Sequence, residues 1–288
     1  MVTELVTRLP PPGLREYVVR CEGFVERTSG PLRRREVAYP AVPVILSFGT
    51  DWRLLDPDRP DGPGERHRSF AAGLHDGPAI VEHGGDAHCM QLDLTPLGAH
   101  ALFGVAMHEL AGRCVALDDL LGERAAAELV ERLAEASGWP ERFAILEDFV
   151  AARMAAARGP SPDAVWAWRR LEETGGRLAV EALARELGCS RRHLAARFRE
   201  QVGLAPKTVA RVLRFHRAVN LLRSAQTTRW VDIAHECGYY DQSHFNRDFR
   251  DLAGTSPGEI VASLLPGTVG IAADPQLPFV QDAAAAAA

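Results

Sequence analysis

Lysine is almost missing from this chain of 288 residues: Lys207 is the single example, and arginine supplies the rest of the 33 positive charges. That bias fits a GC-rich coding sequence better than a functional demand. Cysteine is scarce and unpatterned. Cys21, Cys89, Cys114, Cys189 and Cys237 are scattered with no Cys-x-x-Cys between them, which argues against a disulfide framework or a thiolate zinc site. Cys189 and Cys237 read as small side chains buried in turns. His-x-His pairs are missing too. His75, His83, His88 and His100, with Glu82 and Asp86 nearby, therefore read as solvated or hydrogen-bonded loop residues rather than metal ligands. No metal, cofactor or catalytic group is assigned, and the chain is expected not to be an enzyme. No apolar run approaches the ~20 residues that cross a bilayer. The chain also does not open with a basic stretch followed by an apolar one, so a cytoplasmic location with no membrane partner is expected.

With 47% hydrophobic and 25% charged residues, the composition is that of an ordinary globular protein, long enough for two domains. The net charge of −5 hides an asymmetry. Residues 176–265 carry 14 Lys+Arg against 9 Asp+Glu, so this segment is at +5 and the remainder at −10. A basic module attached to an acidic one fits nucleic-acid binding joined to sensing or assembly.

The basic segment contains one pattern written twice. Leu183–Ser190 (LARELGCS) continues into RRHLAARFREQVGLAP. Ile233–Tyr240 (IAHECGYY) continues into DQSHFNRDFRDLAGTSP. Ala184 matches Ala234, Gly188 matches Gly238, Phe198 matches Phe249 and Pro206 matches Pro257, with one residue gained in the second turn. Each copy predicts helix, tight turn, helix. The small Ala permits a close crossing, and the Gly permits the turn. Ser190 and Asp241 stand where they cap the second helix. Leu194 with Phe198, and Phe245 with Phe249, give that helix one buried face. The opposite face carries Arg191, Arg192, Ala195 and Arg199 in the first copy, and Gln242, Ser243, Asn246 and Arg247 in the second. Arginine bonds guanine bidentately in a major groove, and Gln or Asn bonds adenine.

At these residues the chain resembles the DNA-binding domain of the AraC/XylS family of bacterial transcription regulators. The matching segments are ARELGCS (184–190), HLAARF (193–198), LRFHRAVNLL (213–222), IAHECGYYDQSHFNRDFR (233–250) and GTSP (254–257), within about residues 163–264. The resemblance implies two helix-turn-helix subdomains joined by a helix, each placing a recognition helix in the major groove of double-stranded DNA. The family usually has Arg two residues before the Phe of both recognition helices. Arg247 keeps it, whereas the first copy has Ala196 there and Arg197 one step, about 100°, around the helix. Arg191 or Arg192 is the alternative base reader. Base contacts are expected from Arg191, Arg192, Ala195, Gln242, Ser243, Asn246 and Arg247, and phosphate contacts from Ser190, Arg199, Lys207 and Arg250.

The first third predicts β structure. Leu14–Val25 reads as a short helix leading into a strand. Further strands are expected at 44–48, 51–56, 69–73, 79–82 and 88–94, with an exposed loop at 56–68. A small barrel or sandwich follows, and the resemblance implies a cupin-like effector domain. Thr95 should cap and Pro96 open the helix after the last strand. Val44, Leu46, Phe48, Phe70, Met90, Leu92 and Leu94 either line a ligand cavity or fill a barrel core. Asp118–Glu135 and Glu141–Ala157 predict an amphipathic helical hairpin, interrupted at Trp139-Pro140, that forms a homodimer contact or packs on the β domain. Gly159–Pro162 reads as the linker, and 163–174 as the first helix of the DNA-binding part. Pro206–Ser224 is one helix of about 28 Å, the right length to hold two recognition helices in grooves ~34 Å apart. Lys207, Arg211, Arg214, Arg217 and Arg223 decorate it.

The expected fold is thus α+β: a β-rich domain (1–122), a helical hairpin (123–158), a linker (159–162), the double helix-turn-helix (163–265) and a tail (266–288). The expected function is a sequence-specific DNA-binding regulator under a small-molecule effector, with RNA polymerase as a further candidate partner. The rivals are a ligand-independent dimeric regulator and a cupin-type enzyme with an appended DNA-binding domain.

Overall fold

A computed structural model describes residues 2–224 and 229–262. Ten strands precede the helical half or fall at its start: β1 (Val2–Arg8), β2 (Val18–Arg27), β3 (Leu32–Glu36), β4 (Val42–Ser47), β5 (Trp52–Leu55), β6 (Glu65–His67), β7 (Phe70–Ala72), β8 (Ala79–His83), β9 (Asp86–Leu94) and β10 (Cys114–Ala116). They pair antiparallel into a six-stranded sheet, β1-β2-β9-β4-β7-β10, and a four-stranded sheet, β3-β8-β5-β6. No ladder joins the two sheets among the described residues, so the expected cupin-like barrel is not closed. The sheets instead face one another across a cavity of about 780 Å³, lined from both.

Two sequence expectations are corrected here. The stretch from Leu14 is not a helix. A single 3-10 turn at Pro12–Leu14 leads into β2, whose Arg20, Glu22, Phe24 and Glu26 alternate with Cys21 and Gly23. Charged residues buried on one face of a strand disguise its period. Of the two readings of the apolar set, core and cavity lining, the second is the one corrected, because most of the set packs in a core on the other side of the sheet. Val44, Leu46, Met90, Leu92 and Leu94 pack beneath the helices, while Ile45, Cys89 and Gln91 face the cavity. Successive side chains of a strand point to opposite faces, and both faces of this sheet are covered. Of the expected set, only Phe70 lines the cavity. β6 lies inside the stretch expected to be loop.

Helix α1 (Pro96–Phe103) begins where Thr95 Oγ1 accepts a hydrogen bond from Gly98 N at 3.0 Å, with Pro96 needing no donor in the first turn. The helix expected over 118–135 breaks at Gly122, which sits at φ +85°, into α2 (Leu117–Leu121) and α3 (Glu123–Glu135). Trp139 and Pro140 open α4 (Trp139–Ala156) rather than lying outside it. The apolar stripe of α3 and α4, with Leu129, Leu133, Phe143, Leu146 and Val150, is spent on the chain's own core, together with Met90, Leu92 and Leu94.

The helical half follows as α5 (Pro162–Glu173), α6 (Val180–Glu186), α7 (Arg191–Gln201), α8 (Pro206–Ser224), α9 (Trp230–Glu236), α10 (Gln242–Ala253) and α11 (Pro257–Ala262). Gly159–Pro162 separates two stretches of chain but not two cores. Trp168, Leu171, Leu194 and Phe198 belong to the same apolar cluster as the sheet and the hairpin. A second cluster, with Phe215, Ile233, Phe245 and Phe249, takes in Val37 and Ala38 from the β3–β4 connection. There Ala38 N donates to Leu252 O at 2.9 Å, and Arg35 Nη1 donates to Gly254 O at 2.9 Å. The end of the expected DNA-binding domain at 265 and the tail at 266–288 lie outside the described residues. Among the described residues no helix is long and apolar enough to cross a membrane.

Trp139 shows how the hairpin docks. Its indole lies over Gly23 of β2, so a Cβ there would stand 2.4 Å from the ring, and its Nε1 donates to Glu4 Oε1 at 2.8 Å. Gly23→Ala should therefore cost about 1–3 kcal/mol by overpacking. A lowered urea midpoint at unchanged slope would show it, whereas an unchanged midpoint would mean that the indole swings away freely.

Candidate nucleic-acid interface

The two sequence copies fold to one local design. In the first, Cys189 N donates to Ala184 O at 3.0 Å around Gly188, which sits at φ +64°. In the second, Tyr239 N donates to Ala234 O at 2.9 Å around Gly238 at φ +80°. A left-handed residue is needed at both places, and glycine adopts it at least cost. Ser190 Oγ then accepts from His193 N at 3.1 Å and Asp241 Oδ1 from His244 N at 2.7 Å, starting α7 and α10. Leu194, Phe198, Phe245 and Phe249 are each buried almost completely. The residue gained in the second turn is Tyr240, which is 88% exposed beside the α10 cap. The insertion thus leaves an exposed phenol at the start of α10.

The remaining faces differ in how free they are. On α7, Arg191 and Arg192 are exposed. Arg191 is engaged by Glu181 at 2.9 Å, whereas Arg192 has no ion-pair partner among the described residues. Ala195 is half-buried, Arg199 exposed, and Arg197 leans toward Glu200 at 4.0 Å. On α10, Gln242, Ser243, Arg247 and Arg250 are exposed, but Asn246 is half-buried with its Oδ1 shielded and without a partner. Ser190 and Lys207 are exposed as well.

Helix α8 uses its arginines differently from the expected decoration. Arg211 Nε meets Asp248 Oδ1 of α10 at 2.6 Å, and the same guanidinium reaches Asp251. Burial works against the Arg211 charge, but these two carboxylates outweigh it and hold the group above its usual value. Arg214 donates to Gly176 O at 2.9 Å, and Arg217 pairs with Glu236 at 3.0 Å. These three tie the connecting helix to its neighbours and leave Lys207 as the exposed cation near its start.

The histidines of the β half are dispersed. His83 Nε2 lies 2.9 Å from Glu26 Oε2, and the His100 ring bonds Val105 O at 2.9 Å. His75 bonds Gly77 O, and His88 meets Phe48 edge-on. Burial holds His75 and His88 below the usual histidine value. Among the described residues no group of three or more His, Cys, Asp and Glu is placed to hold a metal ion.

Residues 183–263 match the model of a helix-turn-helix domain. The HTH-type transcriptional activator RhaS of Escherichia coli is 35% identical over 80 residues, and the match spans 28% of this chain and 28% of RhaS. A transcriptional regulator of Chromobacterium violaceum, described as containing an AraC-type DNA-binding domain, is 29% identical over 37% of this chain and 96% of its own, at a TM-score of 0.34. ToxT of Vibrio cholerae is 12% identical over 91% of this chain and 98% of its own, at a TM-score of 0.45.

Asp248 is 2% exposed and depends on Arg211 for its counter-charge. Arg211→Met should destabilise the domain by roughly the 3 kcal/mol lower bound for breaking a buried pair, because about a quarter of Arg211 still reaches solvent. Urea unfolding measures it. Arg211→Met with Asp248→Leu should recover part of the loss, and failure to recover any would show that Asp248 is not the cause.

Proposed function

We propose that this chain, whose C-terminal domain belongs to the AraC/XylS family of transcription regulators, binds a specific DNA site by laying α7 and α10 in successive major-groove segments. The observation that carries this reading is the pair of matched, capped recognition helices held on one connecting helix, each with a polar face in solvent. Base readout falls first to Arg247, Gln242 and Ser243 on α10 and to Arg192 on α7. Arg191 joins them once it leaves Glu181, and Asn246 once it turns its amide outward. Ala195 offers a small apolar contact of the kind that meets a thymine methyl. Ser190, Arg199, Lys207 and Arg250 serve phosphates, and Tyr240 joins them through its hydroxyl. RNA polymerase is the partner through which such a regulator acts on transcription.

The β half is proposed as the effector domain, because one stretch of chain touches both the cavity and the second subdomain. Glu36 and Tyr39 line the cavity, while Val37 and Ala38 sit in the core around Phe249. Tyr39 also meets His216 of α8 edge-on at 5.1 Å. A ligand that moves this stretch alters how α8 and α10 are held. A homodimer is carried forward as part of the proposal. Its contact has to use the polar outer faces of α3 and α4, since their apolar stripe is already buried.

Selection of bound fragments from a random DNA pool should recover a motif spanning two adjacent groove segments. Arg247→Ala should lose ~1–3 kcal/mol of discrimination at one base position, whereas Arg250→Ala should weaken all sequences alike and reduce the salt slope by about 1. No enriched motif at any salt concentration would overturn sequence-specific binding. In sedimentation velocity, a monomer at micromolar concentration, with and without the selected DNA, would overturn the homodimer.

A further inference from the structure

The cavity has a chemical bias. Phe24, Ile45 and Trp52 line it together with Glu22, Arg34 and Glu36. Two guanidinium groups, Arg20 and Arg34, and four carboxyl groups, Glu22, Glu26, Glu36 and Asp93, lie on these strands. Both guanidiniums are paired with carboxylates, although Arg34 Nε has no hydrogen-bond partner. Arg20 Nε is 2.7 Å from Asp93 and its Nη1 is 3.6 Å from Glu22, while Arg34 grips Glu26, which also takes a bond from His83. Burial alone would raise the Glu26 carboxyl, but the bonds from His83 and Arg34 outweigh it and hold it below its usual value.

Glu36 is what remains. It lines the cavity, is partly exposed there, and has no hydrogen bond or ion pair among the described residues. A carboxylate with no bonded partner is costly to hold away from water, and a further negative charge beside these four carboxyls would be repelled.

We propose that this cavity binds an amphipathic organic cation, with its protonated nitrogen against the Glu36 carboxylate and its apolar body along Phe24, Ile45 and Trp52. The volume of about 780 Å³ suits a ligand of drug-like size. Aromatic walls favour a cation's organic substituents, and Trp52 adds the attraction of a ring face. Without a ligand, burial pushes the Glu36 carboxyl up to about 7, Arg34 and Arg20 opposing the rise and Asp93 adding to it. A bound cation takes the place of the proton that burial favours.

The inference rests on reading the β half as an effector domain, and its test separates the two. Three probes share one dansyl group and one pentyl chain: dansylcadaverine, its N-acetyl derivative, and the corresponding carboxylic acid. Fluorescence titration of the full chain should show the amine binding about tenfold more tightly than either of the others. Glu36→Gln should bring the amine within about twofold of the acetamide while leaving acetamide binding unchanged, which also reports that the variant is folded. Leu54→Trp, which fills the cavity, should weaken all three. Equal affinities, tightest binding by the acid, or no binding of the amine to the wild-type chain would overturn the proposal. The same probes are then added to the protein on its selected DNA. Amine binding with unchanged DNA affinity would uphold the ligand class and overturn the effector reading. DNA binding that no probe alters, with no amine preference, would overturn the ligand class while the DNA-binding assignment stands.

Discussion

Strands β2 and β9 have no solvent face. Arg20, Glu22, Glu26 and Asp93 on one side are as deeply buried as Met90, Leu92 and Leu94 on the other. The apolar side is covered by the hairpin and by the first helix-turn-helix, which share one core with it. The polar side is closed off by the smaller sheet, and charges removed from water there have to find partners. Arg20 finds Asp93 and Glu22 within its own sheet, while Glu26 of β2 is met from across the gap by Arg34 of β3 and His83 of β8. The sheets are therefore joined by ion pairs and a few aromatic contacts rather than by a strand ladder, which leaves room between them. A closed ladder with an apolar interior would have filled it.

The connection between β3 and β4 turns this arrangement into a link between two halves of the molecule. Four consecutive residues serve two environments: Glu36 and Tyr39 address the cavity, while Val37 and Ala38 complete the core around Phe245 and Phe249. The chain is irregular after Glu36, so its side chains are not held to strand alternation and a short segment can belong to both at once. A displacement on one side cannot be absorbed locally, because the other side is packed tightly. The backbone bond from Ala38 to Leu252 anchors the segment close to the C-terminal end of α10.

Within the helical half, basic residues divide by task. Arg211, Arg214 and Arg217 on α8 hold carboxylates or a carbonyl of adjacent helices, which sets the relative placement of the two subdomains. Arg191, Arg192 and Arg199 on α7 and Arg247 and Arg250 on α10 are exposed instead. A count of positive charge along the chain merges these two groups, although one is spent on ion pairs and a carbonyl and the other faces solvent.

Much of the helical half was legible in the chain because its determinants are local. Helix caps at Ser190, Asp241 and Thr95, left-handed glycines at 188 and 238, and the i, i+4 pairs of Leu194–Phe198 and Phe245–Phe249 are rules between near neighbours, so sequence alone determined them. The 19-residue run from Pro206 to Ser224 likewise predicts its own helix. Tertiary structure decided the rest. A two-residue period says that β9 has two faces, but not which neighbour covers each, so it leaves open whether Met90 and Leu92 face a cavity or a core; packing gives them the core, and Cys89 and Gln91 the cavity. The pattern of β2 was obscured because its inward face is charged. The roles of Arg211 and Glu36 depend on groups 37 or more residues away, at Asp248 and Asp93. Burial and pairing between distant segments are properties of the packed chain, and no local rule contains them.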